Sequence, residues 1–195
     1  KDINPNLQDK KGRTLLHTLI NWNNNFYLDT ELQRMFTSPN IQKVNLDLQD
    51  IDGSTALHLV VQKNDEKSVR LLLSRGANPN IADKSGMTSV HHATKNYRQN
   101  ILKLLLEYKV DGSLCDNTDR QALEYLFSNT WSNNDNGRLM NAMILQLIAN
   151  GADVNRATKC HVETKTDQLK SKDVTPWIIA EVDKRAKLHG EELKK

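Results

Sequence analysis

The sequence predicts an all-α repeat solenoid of about five units, and three observations carry that expectation. One pattern is written twice at a fixed interval: Asp50, Gly53, Thr55-Ala56-Leu57-His58 and Val69-Arg70-Leu71-Leu72-Leu73 are answered 33 residues on by Asp83, Gly86, Thr88-Ser89-Val90-His91 and Ile101-Leu102-Lys103-Leu104-Leu105-Leu106, before Asp116 opens a further unit. A unit of two short helices cannot bury both faces of a strip such as Leu71-Leu72-Leu73, so neighbours must stack to share a core. The composition agrees: 195 residues, 37% hydrophobic and 26% charged, suit one domain with a sizeable core, and no apolar run is long enough to span a membrane.

That period and those landmarks resemble the ankyrin repeat, from Asn4 to about Ala180. The resemblance implies helix-turn-helix units joined by β-hairpin fingers, with 1–195 forming a single domain. Asn4-Pro5-Asn6-Leu7-Gln8-Asp9 aligns with Asn78-Pro79-Asn80-Ile81-Ala82-Asp83, so 1–8 reads as the end of a preceding hairpin, as expected of a piece of a longer protein.

The first full repeat, 9–49, carries Asp9, Gly12 and Thr14-Leu15-Leu16-His17. It holds eight extra residues between Trp22 and Val44, where Phe26, Leu28, Leu32, Met35, Phe36 and Ile41 have the spacing of a lengthened second helix and loop, ended by Ser38-Pro39-Asn40. Repeats 50–82 and 83–115 are the regular pair. In them Thr55 and Thr88 are expected to cap the first helix through the hydroxyl, with Leu57 and Val90 turned to the core. Asn23 and Asn64 stand where the family has glycine between its helices, and asparagine tolerates positive φ; Tyr97 in the same slot predicts strain or a shifted turn.

Repeat 116–157 is degenerate. Asp119 replaces the finger glycine, Gln121-Ala122-Leu123-Glu124 replaces the threonine-to-histidine motif, and the surplus length is assigned to an exposed loop, Ser128 to Arg138, ahead of a second helix from Met140 to Ile148. The last unit, 158–195, opens with a basic finger, Thr158 to Lys172. Thr175-Pro176-Trp177-Ile178-Ile179-Ala180 then restores a first helix before a polar cap.

No catalytic constellation is legible. His17, His58 and His91 share one slot, and the resemblance implies that each bonds the neighbouring hairpin instead of serving as base or ligand. Cys160-His161 has no evident partner, Cys115 and Cys160 lack CxxC spacing, His91 and His92 point to different faces, and the glycines are scattered. The chain is therefore expected to be no enzyme and to need no cofactor and no metal. A net charge of +3 is too small to argue for nucleic acid or a membrane surface, and Lys159, Lys165, Lys170 and Lys172 have no stacking aromatics among them. Two cysteines without a framework favour a reducing compartment, cytoplasm or nucleus.

The chemistry that remains is recognition. The resemblance implies a concave surface built by finger tips and the exposed ends of first helices. The tips are Lys10, Lys11 and Arg13, then Ile51, Asp52 and Ser54, then Lys84, Ser85 and Met87, then Asn117, Thr118 and Arg120; the helix positions are Asn21 and Trp22, Gln62 and Lys63, Lys95 and Asn96. Lys10, Lys11, Arg13, Lys63, Lys84, Lys95 and Arg120 outnumber Asp52, giving a basic face, and Trp22, Ile51 and Met87 supply apolar anchors.

The expected function is a protein–protein interaction module, adaptor or scaffold, gripping an acidic or amphipathic segment of a partner, as a monomer without membrane insertion. The alternative is a regulatory domain of a larger enzyme, channel or transcription regulator similar to the inhibitors of NF-kappaB, or a pathogen effector. Asn80 and Asn155, each eight residues after a leucine (Leu72, Leu147), also resemble family sites of asparagine hydroxylation, beside a structural hydrogen-bonding role.

Overall fold

A computed structural model describes residues 3–22, 27–39, 41, 43–108, 110–128 and 136–153. Its helices are α1 Leu15–Trp22, α2 Leu28–Thr37, α3 Ala56–Gln62, α4 Glu66–Ser74, α5 Ser89–Lys95, α6 Gln99–Leu106, α7 Ala122–Ser128 and α8 Asn136–Ala149. The first helices α1, α3, α5 and α7 pack in succession as one layer, and the second helices α2, α4, α6 and α8 as another. The expected Asn23 turn, Asn155 and the whole of 158–195 lie outside the described residues.

Each regular helix starts and stops for a local reason. The Thr55 hydroxyl accepts from the His58 amide, and the Thr55 amide donates to His58 Nδ1 at 3.1 Å, closing a reciprocal cap; Thr88 and His91 repeat the pairing at 3.1 Å. Asn64 (φ 59) and Tyr97 (φ 53) then reverse the chain in the left-handed region, so Tyr97 adopts the ordinary turn under strain instead of shifting it. Asp65 caps α4 through the Ser68 amide. Between the layers Leu16, Ile20, Leu57, Val60, Leu72, Leu102, Leu105, Leu123 and Leu126 are at most 1% exposed, each contributing about 1.5–3 kcal/mol to a core that runs unbroken from one unit to the next.

Two expectations of length are corrected. The eight extra residues of the first repeat do not mainly lengthen its second helix, since α2 has 10 residues against 9 in α4. Ser38 turns extended (ψ 124) ahead of Pro39, whose ring disfavours helix at the preceding residue. The helix thus stops at Ser38-Pro39 as expected, and Ile41, in the loop past that stop, forms an isolated bridge with Ile3 and packs with Val44 on the edge of the core. In the fourth unit α8 begins at Asn136, not Met140, so Asn136–Arg138 belong to the helix and not to the loop; asparagine initiates helices as readily as it makes turns.

The fingers are hairpins in their shortest form, closed by backbone bonds without a strand ladder among the described residues. In the second, the Asp50 amide donates to the Ser54 carbonyl at 3.0 Å and Gly53 to Asp50 at 2.9 Å. The aspartate that opens each finger shapes it: Asp50 Oδ1 accepts the amides of Asp52 and Ser54, Asp83 Oδ1 those of Ser85 and Met87, and Asp116 Oδ1 those of Thr118 and Arg120. Gly53 must be glycine twice over. Its φ is +76, and an added Cβ would stand 2.6 Å from the Lys84 amide nitrogen of the next finger. Asp119 holds the same left-handed turn (φ 64) in the fourth finger.

Candidate partner-binding face

Consecutive fingers are tied tip to tip. The Ile51 amide donates to the Lys11 carbonyl (2.8 Å), Lys84 to Asp52 (3.0 Å) and Asn117 to Ser85 (3.0 Å). Beneath this row, the Gln8 side chain bridges the Gly12 and Gln49 carbonyls, and Gln49 bridges Gly53 and Ala82. The histidines fix the fingers to the first helices, as expected. Nε2 of His17, His58 and His91 meets the carbonyl of Ser54 (3.0 Å), Met87 (3.1 Å) and Arg120 (3.2 Å) on the following finger. Because Nδ1 of His58 accepts an amide proton, its own proton sits on Nε2 and the ring is neutral. Burial first, then repulsion from His92, pushes the His58 pKa down to about 4; burial likewise lowers that of His91.

The bracing leaves a groove of about 570 Å³ across the first three fingers. It brings together nine of the expected partner-binding residues: Lys11, Arg13, Asn21, Ile51, Asp52, Ser54, Gln62, Lys84 and Ser85. Lys10, Trp22, Lys63, Met87, Lys95, Asn96, Asn117 and Arg120 are not in its lining. Ile51 is 53% exposed and forms the apolar point of the row.

Several of those residues play other parts. Met87, read as an apolar anchor, is 4% exposed, and Ser54 is 7% exposed. Ser54 and Met87, each following its finger glycine, give their carbonyls to a histidine and turn their side chains inward, so they offer little to a partner. Arg13 is held by Asp9, with Nε and Nη2 at 2.9 and 2.7 Å from Oδ2; that bond, helped by the Arg13 and Lys11 amides, lowers the Asp9 pKa to about 2. The Lys95 ammonium lies 5.8 Å from the Tyr125 ring centroid. Asn80 Oδ1 accepts the Asp111 amide at 3.0 Å, the structural role expected of it. Trp22 is 84% exposed and continues along α1 from Leu15, which is 43% exposed although its counterparts Ala56 and Ser89 are buried.

Residues that sequence reasoning passed over complete the groove: Asp50, Leu59 and Asp83. Three carboxylates therefore face Lys11, Arg13 and Lys84, and the groove is mixed in charge, not uniformly basic. Both aspartates recur at the repeat period, which marked them as landmarks without showing that they line the cleft. Asp83 Oδ2 also meets His92 Nε2 at 2.8 Å. Burial alone would raise the Asp83 pKa, but the bonds from His92 and the Met87 and Ser85 amides hold it below the usual range. Among the described residues no cluster of three histidine, cysteine, aspartate or glutamate side chains could hold a metal ion, and no helix is long and apolar enough to cross a membrane.

Comparison with known proteins places these features. The family profile described as Ankyrin repeats (3 copies) matches residues 1–83 and 27–116. The human transient receptor potential cation channel subfamily A member 1 is 38% identical over 79 residues, 40% of this chain and 7% of the channel. The mouse B-cell lymphoma 3 protein homolog is 27% identical over 183 residues, 93% of this chain and 38% of that protein. The crystal structure of the ankyrin repeat domain of Bcl-3, described as a unique member of the IkappaB protein family, superposes with a TM-score of 0.60 at 26% identity, covering 77% of this chain and 61% of that one. The chain thus spans less than two-thirds of the length of each of these proteins.

Proposed function

The chain belongs to the ankyrin-repeat family, and from that premise we propose that it is a protein-interaction module whose partner lies along the groove of the first three fingers. The observation that carries the reading is the assembly of Lys11, Ile51, Asp52 and Lys84 on one braced row of fingers, with Gln62 of α3 lining the same groove. Fingers tied by backbone bonds lose little freedom when a partner binds, so contacts made there are not offset by ordering the site. Ile51 and Leu59 offer apolar contact, and the exposed charges around them steer and orient an amphipathic segment. No part of this surface resembles a nucleophile with its base, and the reading assigns the chain recognition, not catalysis. We further read 1–195 as one domain working in the cytoplasm or nucleus, its last unit spanning 158–195.

The test replaces Lys11 and Lys84 with glutamate and compares partner capture by that variant with capture by Lys103→Glu, an exposed change on α6 away from the row. A loss of about tenfold for the finger variant alone, with an unchanged circular dichroism spectrum, supports the reading. Equal capture by the two variants contradicts it. The likeness to Bcl-3 over most of the chain favours a second reading, a transcription-regulatory domain similar to the IkappaB family. Retention of the protein in the nucleus with a transcription factor among the captured partners would distinguish that role from a cytoplasmic scaffold.

A further inference from the structure

Each finger aspartate spends one carboxylate oxygen on its own turn, and what meets the other oxygen differs from finger to finger. Oδ1 of Asp9, Asp50, Asp83 and Asp116 accepts two amides of its turn. Oδ2 of Asp9 is held by the Arg13 guanidinium at 2.7 Å. Nine residues on from Asp83, His92 Nε2 meets its Oδ2 at 2.8 Å, and nine on from Asp116 the Tyr125 hydroxyl donates to its Oδ2. The same position after Asp50 is Leu59, which has no donor. Asp50 Oδ2 therefore has no hydrogen bond or ion pair among the described residues. Asp50 and Leu59 are both half-buried, and both line the groove. Asp52, exposed on the same tip, adds a second carboxylate, and Ile51 adds further apolar surface. Asp83 lines the groove too, but its outer oxygen is already taken by His92.

We infer that this part of the groove is an arginine subsite: a partner arginine lays its stem on Leu59 and Ile51 and donates its guanidinium to Asp50 Oδ2, with Asp52 as the second carboxylate. This rests on the reading of the groove as the binding face and adds the side chain that it selects. A long apolar stem with a cationic head matches a carboxylate set against a leucine. Arginine suits a half-buried place better than lysine, because its planar fork bonds carboxylates bidentately and is less strongly hydrated. Lys11 and Lys84 stand on the neighbouring tips, joined to this one by the Ile51 amide on the Lys11 carbonyl and the Lys84 amide on the Asp52 carbonyl. A bare cation would be repelled by both lysines, so the arginine is one carried with acids near it on the same segment.

The probes are the end-capped peptides Glu-Gly-Arg-Gly-Glu and Glu-Gly-citrulline-Gly-Glu, which differ only in the charge of the central side chain and whose glycines impose no conformation. They are titrated into the isotope-labelled full chain and followed at the amides of Asp52 and Ser54, which Asp50 holds. The arginine peptide is expected to bind about fivefold more tightly, the upper range for a partly exposed ion pair. Asp50→Asn keeps an Oδ1 acceptor for the turn, and Leu59→His gives Asp50 the partner that Asp83 has; each should erase the preference with the circular dichroism spectrum unchanged. His92→Leu should open a second subsite at Asp83, seen as new arginine-dependent shifts at the Ser85 and Met87 amides. A preference that survives Asp50→Asn or Leu59→His overturns the arginine subsite. Equal binding of the two peptides, both weakened by Lys11→Glu with Lys84→Glu, overturns it while the groove reading stands. If neither peptide moves these amides the inference falls, and partner capture by the Lys11 and Lys84 variant decides the groove reading separately.

Discussion

Repeats 50–82 and 83–115 and the unit after them solve one structural problem with different side chains. In the regular pair a threonine amide donates to a histidine ring three residues on, and the same ring reaches the carbonyl of the next finger. In the fourth unit the Gln121 amide donates to Glu124 Oε1 at 3.1 Å, and the onward link passes to Gln121, whose Oε1 accepts the Asp153 amide at 2.9 Å. Its finger turns through Asp119 where the others use glycine. The difference teaches that stacking requires an acceptor at the helix start, a reach to the following unit and a left-handed tip. The motif letters are one way of meeting those demands.

The comparison can be broken most severely at the tips. Gly86→Ala places a Cβ 2.5 Å from the Asn117 amide nitrogen at φ +76. It should cost about 3 kcal/mol or more in urea unfolding. A loss below about 1 kcal/mol would show that the fingers are not rigidly stacked.

Next in size is pH. His58 is neutral in the folded chain, with a pKa depressed from 6.5 to about 4. The unfolded chain therefore binds more protons between those values, and stability is complete above about 6.5 and lost as pH falls toward 4. The loss should reach roughly 3 kcal/mol, and its upper part, above pH 5, precedes protonation of ordinary carboxylates. His58→Gln should flatten that part of the profile. An unchanged slope in the variant would mean that other groups carry it.

Smaller effects sharpen the contrast. Tyr125 donates its hydroxyl to Asp116 Oδ2, and burial together with that bond raises the phenol pKa to about 12. Tyr125→Phe should cost about 1 kcal/mol and should loosen the fourth finger, seen as faster hydrogen exchange at Thr118 and Arg120, whose amides the same aspartate holds.

Much of this was legible in the sequence because it depends on local geometry at a fixed period. The 33-residue interval located the helices, Thr55 and Thr88 their caps, Asn64 the turn between them, and the histidines the bonds to the next finger. Less legible was anything set by the direction of a side chain across units. Met87 has the composition of an anchor and sits on a finger, yet its place after Gly86 turns it inward. Arg13 has the charge of a steering residue, but Asp9, four positions before it, holds its guanidinium. Asp50 and Asp83 were recognised as finger residues, but their position in the cleft follows from stacking three units, which no single repeat displays. Trp22 was read with the groove on helical position alone; the geometry aligns it with Leu15 along α1.

The most direct test of the claim that recognition lies on the fingers is site-specific crosslinking. A photoreactive residue at Ile51, exposed in the groove, and another at Lys103, exposed on α6, are compared in the full chain incubated with its captured partner. The account predicts an adduct from Ile51 that is lost when Lys11 and Lys84 are reversed, and none from Lys103. Crosslinking through Lys103 with silence at Ile51 would contradict it.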